Sequence, residues 1–370
     1  MSISVRIPDH KEFQRSRWYN AYCANLLVIA YGCVNDTFPV PDRLERALAL
    51  ATTCLHQIMA APQRLRAYWV LAEGYKARGD DNAALQAIED ALTIAYNQRD
   101  DFVISELLAE SGQLHFQGLR IRKASDAFSA SLYHRQFFGA MPDESGRYFE
   151  AHINRQLATL RMLLADPVEA EWRLAFARQI LPDWPSYRLE RLAIEQAQAN
   201  LYRLSGHPVW GFDLATQAAE AYLDTGEFAS ASRLHQFVAE LALDSAETAA
   251  DNDKRTLYAQ IASSHLAVAQ SVSAHGGDEP AALMAITTQA RRDRLVQPAP
   301  RSRADLLYVV RRATQLHDAA LQAQALKVLA EEYTAIGEIE SARACHRLTL
   351  AALSDTDLPA LGVWAIRALA

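Results

Sequence analysis

The chain carries a helix–turn–helix pattern that recurs along most of its 370 residues. The clearest copy contains, in order, Tyr68, Leu71, Ala72, Tyr75, Gly79, Ala84 and Ile88. Small residues in the middle of two adjacent helices let their backbones approach closely, and glycine at the turn supplies the left-handed conformation that ends a helix. The pattern therefore predicts a stack of antiparallel helix hairpins in place of one globular core.

Five further segments repeat this pattern with substitutions. Their central small residues are Gly112, Ala158, Ala199, Ala219 and Ala330. From Ala72 onward, the first four small residues of the series are 40, 46 and 41 positions apart. Alanine and leucine dominate the composition while β-branched residues are sparse, which favours helix over sheet.

A large residue, a Leu–small pair and a tyrosine on one helix, followed by a small–large pair on the next, resemble the tetratricopeptide repeat (TPR) signature. The intervals exceed the family's usual spacing of about 34 residues, and in this the chain is similar to the extended arrays of MalT-like regulators. The resemblance implies an all-α fold, a right-handed α-solenoid of antiparallel helix hairpins. It also implies a concave groove that binds a protein or peptide.

The positions of the repeats predict three segments. Residues 1–62 lack the signature and are expected to form an N-terminal helical cap. Residues 63–275 are expected to form the main TPR-like array, and a glycine-rich turn ends it. Residues 276–370 are then expected to hold further repeats and a capping helix, whose apolar end at 358–370 is a candidate homo-oligomer contact.

In this architecture the first helix of each repeat lines the groove. The groove residues expected on this basis are Trp69, Glu73, Lys76, Gln113, Gln117, Arg155, Thr159, Gln196, Asn200 and Arg203. Carboxamide and guanidinium groups recognise peptide backbones and carboxylates, so Arg155 with Thr159, and Asn200 with Arg203, are candidates for clamping an acidic or C-terminal segment. The alternative is that they are solvated polar residues on exposed helix faces.

Seven arginines form a second candidate site in a chain whose formal net charge is −7. They are Arg291, Arg292, Arg294, Arg301, Arg303, Arg311 and Arg312. One interpretation is a contact for an anion, a nucleic acid or an acidic partner. The other is pairing with the acidic stretch at 244–253. Pairing is favoured, and nucleic acid disfavoured, because aromatic residues do not alternate with the arginines.

Five aromatic residues cluster near the middle of the chain, at Trp172, Trp184, Tyr187, Tyr202 and Trp210. They are candidates for a ligand pocket, but their spacing favours core packing. Trp210 follows a turn, a position that allows exposure.

Motifs for catalysis are absent from the sequence, which contains no HExxH, no GxSxG and no phosphate-binding glycine loop. We therefore expect no catalytic residues, no metal and no cofactor. The cysteines, Cys23, Cys33, Cys54 and Cys345, form no CxxC pair and are expected to be buried thiols. His235 and His346 occupy core positions of repeats and are expected to be buried as well.

Neither a secretory signal nor a membrane-spanning segment is visible, since the apolar run at 21–34 is too short for a bilayer. A cytoplasmic location is expected. The leading functional hypothesis is a protein-interaction module, a scaffold or adaptor. The alternative is a ligand- or peptide-responsive regulator of the bacterial TPR receptor type, which has a similar length and layout. The third class is an enzyme on an α-helical scaffold.

Overall fold

The computed structural model describes residues 42–56, 60–137, 144–276, 279–296, 300–354 and 356, together with the single positions 27, 30, 34 and 365. Within these residues every regular element is a helix and no strand occurs. The predicted fold class, an all-α solenoid of antiparallel hairpins, is confirmed. Most of the expected N-terminal cap lies outside the described residues, as do Cys23, Cys33 and the final segment at 358–370 apart from position 365.

Two compact units divide the chain. Unit 1 comprises Met1–Gly118 and Lys123–Ala140, and unit 2 comprises Leu119–Arg122 and Met141–Ala370. The boundaries expected at 62 and 275, which separate the cap, the main array and the C-terminal segment, do not coincide with this division. They concern where the repeat pattern begins and changes, and they stay predictions.

Unit 1 contains hairpins whose helices follow one another closely along the chain. Its helices are α1 (Arg43–Leu55), α2 (Ala61–Arg78), α3 (Asp81–Gln98), α4 (Asp101–Gln117) and most of α5 (Ile121–Phe137). Gly79 adopts φ 77°, and the Asp80 carboxylate caps α3 by accepting a hydrogen bond from the Ala83 backbone N–H at 3.1 Å. This glycine–aspartate turn reverses the chain as the sequence predicts.

Unit 2 continues the same construction over ten α-helices of the described range. They are α6 (Glu144–Leu163), α7 (Pro167–Ile180), α8 (Arg188–Leu204), α9 (Pro208–Asp224), α10 (Phe228–Thr248), α11 (Asn252–Gly276), α12 (Glu279–Val296), α13 (Pro300–Gln315), α14 (Ala319–Ala335) and α15 (Ile339–Ala352). A short 3₁₀ helix at Pro185–Tyr187 precedes α8.

Close helix crossings hold each hairpin together. Ala158 and Ala199 are fully buried, as the repeat pattern predicts. At the α8–α9 crossing, a Cβ atom added to Gly211 would lie 2.9 Å from the backbone oxygen of Ala199. At the α4–α5 crossing, a Cβ atom on Gly112 would lie 2.8 Å from the buried ring of Phe128. Only small residues permit this spacing.

Alternate helices of unit 2 also contact one another. Helix α6 contacts α8, α10 contacts α12, and α12 contacts α14, whereas α8 reaches α10 through ion pairs of Arg203. We call α6, α8, α10, α12 and α14 the inner helices. The repeat expected around Ala219 places α9 as the first helix of a hairpin. In the structure α9 is the second helix of the α8–α9 hairpin, so this expected repeat is shifted by one helix. Small residues are needed on both helices of a close crossing. The helices between the inner ones, which we call the outer helices, therefore carry the same small-residue pattern.

Among the described residues, no helix has the length and apolarity needed to cross a membrane.

Candidate functional site

Four inner helices of unit 2, α8, α10, α12 and α14, line a cavity of about 180 Å³. We call this cavity and its lining the groove. Its lining consists of Arg203, Glu240, Glu247, Thr287, Thr288, Arg291, Gln324, Lys327, Val328 and Glu331. One of the ten groove residues expected from the sequence, Arg203, is in this lining.

An ion-pair network begins at Arg203 on α8. Its Nη1 donates to Glu240 Oε2 at 2.8 Å, and its Nε donates to Asp244 Oδ2 at 2.6 Å. Arg291 on α12 donates through Nη2 to the other oxygen of Asp244 at 2.6 Å. One carboxylate of α10 therefore joins α8 to α12.

The network continues from α12 to α14. Arg291 also pairs with Glu247 at 2.7 Å, and Glu247 accepts a further hydrogen bond from Arg294 at 3.2 Å. Arg294 Nη1 in turn lies 2.6 Å from Glu331 Oε2 on α14. Alternating charges thus connect four successive inner helices.

Burial and pairing act in opposite directions on these charges. Burial alone would raise the pKa of Asp244, but Arg203 and Arg291 outweigh it and hold the pKa below its usual range. Burial would lower the pKa of Arg203, but Glu240 and Asp244 raise it. Pairing therefore favours the ionised forms of Asp244 and Arg203.

A second ion pair joins α6 to α8. Arg155 Nε donates to Glu190 Oε1 at 2.6 Å, and Nη2 donates to Oε2 at 3.3 Å. Glu190 is only 4% exposed and also contacts His152 Nδ1 at 3.2 Å. The hydroxyl of Thr159 donates to the Arg155 carbonyl. Internal carboxylates thus already pair with the guanidinium groups of Arg155 and Arg203, and the clamping of an acidic segment by these residues stays a prediction.

The remaining expected groove residues are divided between the units. Gln196 and Asn200 lie part-exposed on α8. In unit 1, Lys76 Nζ lies 2.9 Å from Glu73 and 2.5 Å from Glu110, which joins α2 to α4. Trp69 is half-buried against the unit 1 core. Gln113 is part-buried and Gln117 is exposed on α4.

No family model and no curated protein matches the chain. Solved structures do resemble it. The apo form of RapI has a TM-score of 0.56 at 11% sequence identity, covering 94% of this chain and 96% of that one. The fold is that of a TPR-like α-solenoid. Putative kinesin light chain TPR-like repeats of Podosopora anserina align over 56% of this chain and 97% of that one, with TM-score 0.43 at 16% identity.

The arginine cluster of this TPR-like chain is largely used in internal pairing. Arg291 and Arg294 contact Asp244 and Glu247, two members of the acidic stretch that the sequence offered as partners. Further pairs join Arg292 to Asp293, Arg303 to Glu338 and Arg312 to Glu279. Arg311 is exposed, and the side chain of Arg301 lies outside the described residues.

Trp172 and Trp184 contradict the expectation of core packing, whereas the exposure of Trp210 agrees with its position after a turn. Tyr187 is buried, but Trp172, Trp184 and Trp210 are all exposed. Tyr202 packs edge-on against Trp210 and lines a second cavity, of about 520 Å³, between α7 and the α8–α9 hairpin. The period of aromatic residues does not distinguish the buried face of an outer helix from its solvent face, which explains the error.

A histidine pair joins α10 to α11, with His235 on α10 and the half-buried His265 on α11. His235 is buried as predicted, and its Nδ1 lies 3.0 Å from Nδ1 of His265. Burial, with a smaller effect of His265, lowers the pKa of His235 from 6.5 to about 4. Burial also lowers the pKa of His265, against the effect of Glu220. Both imidazole rings are therefore neutral at pH 7. One Nδ1–H donates a hydrogen bond to the Nδ1 of the other ring.

Other expected groups lie in the core. His346, Cys54 and Cys345 are buried, as predicted. In the part of the chain that the structure describes, no three His, Cys, Asp or Glu side chains converge as metal ligands would.

Proposed function

We propose that the groove binds a polypeptide segment of another protein, so that the chain acts as a protein-interaction module, a scaffold or adaptor. The observation that carries the proposal is the alignment of four inner helices around one polar cavity. Extended segments of a partner gain affinity when directed hydrogen-bonding groups are held in fixed positions.

The groove offers such groups. None of the described residues forms a hydrogen bond with the Gln324 side chain, which lies in the lining beside the apolar Val328. A carboxamide both donates and accepts, so it pairs with the N–H and C=O of a peptide backbone. The surrounding ion pairs hold the four helices in position, which lowers the conformational cost of binding.

A regulator that responds to a ligand is the second candidate. The continuous network from Arg203 to Glu331 favours it, because displacing one inner helix perturbs the ion pairs of the next. The sequence-based version of this hypothesis placed the ligand among the central aromatic residues. Exposure of three tryptophans does not support that placement.

Capture of partners by two matched variants tests the proposal. We expect Gln324→Arg to reduce the partners captured from a source-cell lysate, because a bulky cation would obstruct the groove. Gln260→Arg, an identical change at an exposed position of the outer helix α11, should capture as the wild type does. Equal capture by the two variants would remove the groove as the binding surface. Compaction in small-angle scattering on partner addition would favour the regulator.

A further inference from the structure

The second cavity, of about 520 Å³ between α7 and the α8–α9 hairpin, lies apart from the groove. Tyr202 lines this cavity, whereas the next residue along α8, Arg203, lines the groove. Consecutive residues of a helix point in directions about 100° apart, so the two sites use different sides of α8. Pockets that hold small molecules have volumes of about 300–1,000 Å³, and the second cavity falls in this range.

Part of the wall of the second cavity is apolar. Ala175 of α7 and Leu214 of α9 keep solvent-accessible surface, and the buried Ile194 of α8 lies in the same wall. Tyr202 adds an aromatic ring, which Trp210 contacts edge-on with ring centroids 5.9 Å apart. A ligand with an apolar body would remove this surface from water, which favours binding.

Three charged residues, Glu171, Arg178 and Glu195, also line the second cavity. Among the described residues, none of the three forms a hydrogen bond or an ion pair, and Arg178 pairs with neither glutamate. In the groove, by contrast, Arg203 and Arg291 are each held by two carboxylates. The charges of the second cavity are therefore available to a ligand.

Depth distinguishes these three charges. Glu171 and Arg178 are exposed to water, whereas Glu195 is part-buried. A part-buried carboxylate gives up some of its hydration, and no hydrogen bond from the described residues replaces it at Glu195. A cation there would supply the missing interaction, whereas an anion at Arg178 would only exchange with the water around an exposed guanidinium group. The second cavity therefore favours a cation over an anion.

We infer that the second cavity binds a small organic cation with an apolar body, whose charged nitrogen pairs with Glu195. The ring of Tyr202, in the same lining, attracts a cation through its π face. The carboxamide oxygen of Gln198, which accepts no hydrogen bond from the described residues, can accept from a further N–H of the ligand. This inference is independent of the proposed function, because the described linings of the two cavities share no residue.

Isothermal titration calorimetry of the full chain with three ligands of matched shape tests the inference. They are phenylbutylamine, phenylbutanol and phenylbutyrate, which carry a cation, a neutral hydroxyl and an anion on the same apolar body. We expect the amine to bind most tightly, with an affinity that falls as salt rises. Glu195→Gln should weaken binding of the amine about two- to fivefold, the effect of one partly exposed ion pair, and leave binding of the alcohol unchanged.

Glu220→Gln is the matched control. It changes the net charge equally, and Glu220 is exposed on α9 outside the lining of the second cavity. Equal weakening by the two variants would show non-specific attraction to an acidic chain and overturn the inference. Ala175→Trp provides a second test if Glu195→Gln lowers the helical circular dichroism. A large ring at this exposed position would fill the cavity and should weaken binding of the amine and the alcohol alike.

The other outcomes separate this inference from the proposed function. Tightest binding of phenylbutyrate, lost in Arg178→Gln, would overturn the choice of a cation, and absence of binding by all three ligands would overturn the inference as a whole. Gln324→Arg, which obstructs the groove, should bind the amine as the wild type does. Loss of amine binding in that variant would place the amine in the groove and contradict the second cavity.

Discussion

Gly211→Ala tests whether helix crossings in unit 2 are set by backbone contact. In a free helix, this change gains about 1 kcal/mol because alanine is the better helix former. In the folded chain, the new Cβ would lie 2.9 Å from the Ala199 carbonyl oxygen and 3.3 Å from its Cα. Backbone atoms cannot rotate away, so α8 and α9 must separate, and overpacking of this kind costs about 1–3 kcal/mol. We expect a net loss of about 0–2 kcal/mol.

Urea denaturation followed by helical circular dichroism measures this change, and midpoints are compared because repeat arrays need not unfold in one step. Gly74→Ala is the matched control. The nearest atoms to its Cβ would all belong to side chains: Leu48 Cδ2 at 2.8 Å and Cγ at 3.3 Å, and Val34 Cγ2 at 3.8 Å. The Leu48 side chain can rotate away. The control should keep or raise the midpoint, while Gly211→Ala lowers it. A raised midpoint for Gly211→Ala would refute the close crossing.

Two further predictions concern buried charge and pH. Arg155→Ala should destabilise the chain by about 3 kcal/mol in denaturation at pH 7, because the carboxylate of Glu190 stays buried without its guanidinium partner. The control Arg188→Ala, at an exposed position, should change stability by less than about 1 kcal/mol. Similar losses in the two variants would contradict the buried ion pair. Since the pKa of His235 falls from 6.5 to about 4 on folding, the unfolded chain binds more protons in that interval. The contribution of His235 to stability is then fully present above pH 6.5 and is lost towards pH 4, by up to about 3 kcal/mol. This dependence should disappear in His235→Gln, and its persistence there would contradict the assignment to His235.

The local features of the fold could be predicted from the sequence because short-range chemistry fixes them. Glycine followed by aspartate determines the turn at Gly79, and the small residues Ala158 and Ala199 mark helix crossings wherever they recur. These requirements involve neighbours on one hairpin. They identify the type of fold from a single chain.

The groove depends on contacts that no local pattern encodes. Arg203 and Glu240 are separated by 37 positions, and Arg291 and Asp244 by 47. Which charges meet across alternate helices depends on the length of each hairpin, and here the repeat length varies. The sequence therefore singled out Arg203 and Arg291 as charged candidates, but the neutralisation of Arg203 by Glu240 and Asp244 followed only from the structure.

Site-specific photo-crosslinking in source cells tests the groove most directly. A benzophenone amino acid would replace Gln324 in the groove or, as the control, Gln260 on the outer helix α11. We predict a crosslinked partner polypeptide from position 324 and none from position 260. Crosslinks from position 260 alone, or equal yields from both positions, would contradict binding at the inner helices.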